Sequence, residues 1–95
     1  MKAKHLLITG RVQGLGYRDW LVAQARRLGL AGWVRNVGHD AVEALIAGDT
    51  GAVEECLRLC RRGPPMATVD SITDNIAEPP REPGFVKRAS LRERP

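Results

Sequence analysis

The segment that most limits how this chain folds is Gly10-Arg11-Val12-Gln13-Gly14-Leu15-Gly16, three glycines set between an apolar run and a helical stripe. Ahead of it, from Lys4 to Val12, His5-Leu6-Leu7-Ile8-Thr9 is short, apolar and β-branched toward its end, the mark of a strand. Behind it Tyr17, Leu21, Ala25 and Leu28 recur at spacings of 4, 4 and 3, with Trp20 beside the stripe. That is helical periodicity over Tyr17–Leu28, with Gly29 placed for a left-handed C-cap. The chain must therefore pass from strand to helix through a loop that only glycine makes tightly.

The rest of the pattern sets the architecture. Ala31–Asn36 and Ala41–Ala47 read as strands that pair as a hairpin across Val37-Gly38-His39-Asp40. Asp49 or Thr50 starts a second helix, whose Val53, Cys56, Leu57 and Cys60 fall on one face while Arg58, Arg61 and Arg62 suit its C-terminal dipole. Gly63-Pro64-Pro65 ends it, since proline cannot continue a helix. Met66–Ile76 reads as a strand, Glu78–Pro83 as a loop, and Phe85–Arg88 as a short last strand before a basic tail from about 89 to 95 that is expected to be flexible. The order β-α-β-β-α-β plus a terminal strand predicts an α+β fold: an antiparallel sheet with both helices on one face, the ferredoxin-like split βαβ sandwich.

Bulk properties narrow the function classes. Ninety-five residues make one domain, 1–95. No run is long enough to span a bilayer and no signal-peptide pattern opens the chain, so a cytoplasmic protein without membrane partners is expected. The net charge of +4 favours anionic partners without choosing between a small phosphorylated molecule and a nucleic acid. An RNA-binding module on this scaffold would stack bases on aromatics of the central strands, yet strands one and three carry none; no nucleic-acid partner is expected. Cys56 and Cys60 read as free thiols on a helix face. A zinc site would need two more ligands, and His5 and His39 are isolated, so no metal is expected.

The glycine-rich segment holds the chemistry. Amides at a helix start have no intrahelical acceptor and carry the positive end of the dipole. Three glycines let such a loop curl until successive N–H groups converge on one anion, and Arg18 in the first turn can fold back as a bidentate clamp. The segment lacks the lysine of a P-loop and the glycine spacing of a dinucleotide fingerprint. Taken alone, it reads equally as a tight turn beside a surface arginine.

The wider pattern resembles a known family. Gly10-Arg11-Val12-Gln13-Gly14-Leu15-Gly16-Tyr17-Arg18 is similar to the acylphosphatase signature G-x-V-Q-G-V-x-[FY]-R, and Gly32-Trp33-Val34-Arg35-Asn36 to its second block, G-[WYF]-V-x-N. Val42-Glu43, Gly48 and Gly63-Pro64-Pro65 match as well, so the resemblance runs from residue 4 to about 88. It implies a hydrolase that cleaves the carboxyl-phosphate anhydride of acylphosphates without metal or cofactor; nothing in the sequence suggests an oligomer, and a monomer is expected. Arg18 would bind the phosphoryl group, or a phosphate or sulfate ion, with the loop amides of Gln13, Gly14, Leu15, Gly16, Tyr17 and Arg18. Asn36 would orient the attacking water, with the substrate helping to activate it. The chain departs from the family at His39-Asp40, where relatives usually carry Asp-Gly; Gly38 is then expected to supply the positive φ of the turn.

Overall fold

The computed structural model describes residues 1–93. Its elements run β1 (Lys2–Arg11), α1 (Tyr17–Arg27), β2 (Ala31–Val37), β3 (Ala41–Gly48), α2 (Thr50–Arg62), β4 (Thr68–Ile76) and β5 (Phe85–Lys87). The five strands form one sheet in the order β4-β1-β3-β2-β5. Strand alternation sends Leu6 and Ile8 of β1, Val34 of β2, and Val42, Ala44 and Ile46 of β3 to one face. There they meet Tyr17, Leu21 and Ala25 of α1 and Val53, Cys56, Leu57 and Cys60 of α2 in a single core. Both thiols are free and buried. Apart from the half-buried Leu28, the apolar stripes read from the sequence are the buried stripes, and burying each Leu, Ile or Val contributes roughly 1.5–3 kcal/mol.

Helix α1 ends as a Schellman motif: Leu28 is the C-cap, the Gly29 amide donates to Arg26 O at 3.1 Å and the Leu30 amide to Ala25 O at 2.9 Å. Helix α2 starts at the N-cap Asp49 through the Val53 amide on Asp49 O, with no bond from the Asp49 side chain. Gly38 takes φ 60° in the β2–β3 turn, as its place beside His39-Asp40 suggests. β4 begins two residues later than its composition suggests, because the Ala67 amide donates to Pro64 O at 3.0 Å and the chain turns once more before extending.

The sheet is mixed, not purely antiparallel. β5 runs parallel to β2, pairing Gly32 with Phe85 and Val34 with Lys87. β4 and β5 lie at opposite edges and run in opposite directions, so a single loop along one end of the sheet can join them. Four interstrand gaps of about 4.8 Å span about 19 Å. Loop 77–84, fully extended, reaches about 28 Å. No helix among the described residues is long and apolar enough to cross a membrane.

The face without helices carries a charged cluster. Glu43, only 3% exposed on the central strand β3, accepts from His5 Nε2 at 2.6 Å and Arg35 Nε at 2.6 Å. The guanidiniums of Arg35 and Arg88 stand 4.9 and 4.8 Å from the Trp33 ring centre. The basic tail does not leave the sheet at once: the Arg88 amide donates to Val34 O and Leu91 pairs with Val37, while Arg94 and Pro95 lie outside the described residues.

Candidate active site

The strand that delivers the glycine-rich loop meets an irregularity just before it. Its pairing with β4 shifts register between Thr9 and Gly10, a bulge at which Gly10 takes φ 133°. A Cβ at Gly10 would sit 2.2 Å from Thr68 O, so no other residue fits. The loop then turns through Gly14 (φ 75°) and reaches Gly16, the N-cap of α1, in the left-handed region at φ 77°, ψ 17°.

Most helices place Ser, Thr, Asp or Asn at the N-cap, whose side chain satisfies a first-turn amide. Gly16 has none to offer, and the first intrahelical bond is that of the Trp20 amide to Gly16 O at 2.9 Å. Among the described residues, the amides from Gly14 to Asp19 donate to no protein acceptor. All of these residues but Leu15 line a cavity of about 180 Å³, together with Val12 and Asn36. Arg18, half-buried there, makes no hydrogen bond or ion pair with any described residue. Asn36 Oδ1 is buried without a partner, an acceptor that a water or hydroxyl in the cavity would complete.

The residues singled out in the sequence divide into three groups. Gly14, Gly16, Tyr17, Arg18 and Asn36 come together around the cavity, although 18 positions separate Arg18 from Asn36. Gln13 does not line it: its Nε2 donates to Ala41 O at 2.8 Å, with longer contacts to Gly38 O at 3.2 Å and Val37 O at 3.3 Å. It staples the loop to the β2–β3 turn. Leu15 is absent from the cavity lining as well. Tyr17 faces inward, 1% exposed, and its hydroxyl donates to Cys60 O at 2.8 Å. That carbonyl has no helical donor four residues on, because Pro64 carries no N–H.

Val12 and Asp19 are the lining residues that pattern reading passed over, although Asp19 directly follows Arg18 and the first helical turn was already the focus. The Asp19 carboxyl is held below the usual range by its bond to Lys87, with Arg18 adding to the effect. Among the described residues, no group of three or more His, Cys, Asp or Glu side chains could hold a metal ion.

What such a constellation can hold is an oxyanion, set at a helix N-terminus beside a cation and a neutral amide acceptor; fold and cavity together define a small α+β anion-handling protein. The family model for acylphosphatases matches residues 4–87. The acylphosphatase of Acidiphilium cryptum is 66% identical over 90 residues, covering 95% of this chain and 99% of that protein. That of Rhodospirillum rubrum is 48% identical, covering 96% of this chain and all of the other. The solved acylphosphatase structure from Coxiella burnetii superposes with a TM-score of 0.87 at 28% identity over 92% of each chain. The chain belongs to the acylphosphatase family. It is a hydrolase, and its reaction is the cleavage of acylphosphates.

Proposed function

We propose that Arg18 and the amides of the Gly14–Asp19 segment hold the phosphoryl group, and that Asn36 holds the water that attacks it. The observation that carries this reading is the pairing, in one cavity, of uncapped first-turn amides with a buried and unpartnered Asn36 Oδ1. The carboxylate released from an acylphosphate is a good leaving group, so little acid catalysis is required. Positioning and charge stabilisation remain, and the protein supplies both. Amides and guanidinium point at the equatorial oxygens, where charge builds in a loose transition state. Asn36 Oδ1 accepts one hydrogen from the water, leaving a lone pair of its oxygen for phosphorus. The reaction in this reading needs no metal and no cofactor, and inorganic phosphate occupies the same loop.

Hydrolysis of benzoyl phosphate in excess EDTA tests the reading. Wild type turns over in chelator. Arg18→Ala loses inhibition by inorganic phosphate together with turnover, and Asn36→Ala keeps that inhibition but loses about 10²–10³ in kcat. Phosphate inhibition that survived Arg18→Ala would overturn the assignment. We further propose that residues 1–95 are one domain working as a cytoplasmic monomer; Arg18, Asn36 and the loop amides that the reading requires all belong to a single chain. Sedimentation showing an active dimer and an inactive monomer would contradict that.

A further inference from the structure

The tail after Arg88 lies beyond the span matched by the family model and was expected to be free, yet it returns to the sheet at one particular place. β5 pairs with β2 only through Lys87, with the Arg88 amide on Val34 O at 2.8 Å closing that ladder. Ala89 and Ser90 make no bridge. Leu91 then rejoins β2: its amide donates to Asn36 O at 2.9 Å, and its carbonyl accepts the Gly38 amide at 2.9 Å. Closing the sheet edge needs none of this. The second attachment brackets Val37 and takes hold of the Asn36 carbonyl, and Gly38 opens the turn on which Gln13 is stapled.

From this geometry we infer that Leu91 is a positioning residue for the hydrolytic step, acting through its backbone on Asn36. The inference rests on the proposed role of Asn36 as holder of the water. Residues of a strand direct their main-chain groups alternately to the two neighbouring strands. The Asn36 carbonyl faces the tail, so without Leu91 the end of β2 is held on one side only, by β3. The amide side chain of Asn36 has no protein bond through Oδ1 to fix it, and its aim depends on the backbone that carries it. Displacements of about 1 Å at a reacting water can cost about 10²-fold in rate. No residue of the tail lines the cavity, so the tail is expected to govern turnover and not anion binding.

Leu91→Pro removes the donated N–H and keeps the chain length and the carbonyl. Leu91→Ala keeps the N–H and trims a side chain already 37% exposed. Both full-length proteins, with Asn36→Ala alongside, are assayed for kcat on benzoyl phosphate, for competitive inhibition by inorganic phosphate, and for thermal midpoint. The expected result is that Leu91→Pro loses about tenfold or more in kcat with unchanged phosphate inhibition, while Leu91→Ala behaves as wild type. A Leu91→Pro kcat within twofold of wild type overturns the inference. So does a parallel loss of phosphate inhibition, which would mean general disruption of the site. If Asn36→Ala itself turns over normally, the role given to Asn36 fails; if only Leu91→Pro does, the fault lies with the tail alone.

Discussion

Lys87 Nζ lies 2.8 Å from Asp19 Oδ1, tying the last strand to the first turn of α1 at the lip of the anion cavity. An acidic residue in a first helical turn ordinarily complements the dipole. In the proposed function the same positive end faces the substrate phosphate, and a bare carboxylate would oppose it. Lys87 offsets that charge. Asp19 is 74% exposed, so solvent screens the effect. Lys87→Met should weaken inhibition by inorganic phosphate about threefold at low ionic strength, with kcat little changed. Adding Asp19→Asn to that variant should restore it, and salt above about 0.5 M should erase the difference. Unchanged inhibition in Lys87→Met at low salt would refute the idea.

Tyr17 joins the two helices by a single bond to a carbonyl that proline leaves without a helical donor. Tyr17→Phe keeps the ring in the core and strands Cys60 O in an apolar setting. The expected cost is about 1–3 kcal/mol, read as a lower urea midpoint at unchanged slope. Turnover should stay near wild type, because only the backbone of Tyr17 belongs with the loop amides.

Two glycines with positive φ should respond very differently to alanine. At Gly16 a Cβ meets nothing within 4 Å, and the cost is that of the left-handed backbone alone, about 1–2 kcal/mol. At Gly10 the same methyl group collides with Thr68 O and the Asp70 amide, so Gly10→Ala should exceed about 3 kcal/mol and part β1 from β4. Denaturant titration ranks the two. Equal losses would show that the bulge is softer than its geometry indicates.

Glu43 makes stability depend on acid. Burial pushes its carboxyl up, but the bonds from His5 and Arg35 outweigh that and hold it below its ordinary value of 4.5. A carboxyl depressed in the folded state contributes stability that is present above its unfolded pKa and is lost as pH falls through the folded one. Glu43→Gln should therefore be less stable than wild type at neutral pH, and the gap should narrow progressively below about pH 4.5. Thermal melts from pH 7 to pH 3 give the comparison; a constant gap would show that the carboxylate charge is not what matters.

Most of the fold was legible because its signals are local. Tyr17, Leu21 and Ala25 at helical spacing, Gly29 beyond them, and Gly63-Pro64-Pro65 after α2 mark their elements without reference to anything distant. That Arg18 and Asn36 meet at one cavity was legible as well, because motif residues keep their types and order wherever the fold then places them. What the sequence left dark depends on tertiary register. Gln13 belongs to the signature, yet nothing local says that its amide turns toward Ala41 O and away from the cavity. The parallel pairing of β5 follows from a loop crossing the whole sheet, and no residue within Phe85–Lys87 encodes that direction. Lys87 reaches Asp19, and Leu91 reaches Asn36, across 68 and 55 positions, distances at which periodicity carries no information.

The strand order has a consequence for how copies of this protein meet. β5 and the tail cover the flank of β2, which leaves the outer side of β4 as the long open border of the sheet. Any strand so placed is a template for a second molecule to pair against. Asp70 stands exposed along that border, so an identical strand laid against it brings carboxylate toward carboxylate. The side chain at position 70 is thus expected to discourage such pairing in concentrated solution, and Asp70→Val should show itself as rising light scattering in a protein whose catalysis is untouched.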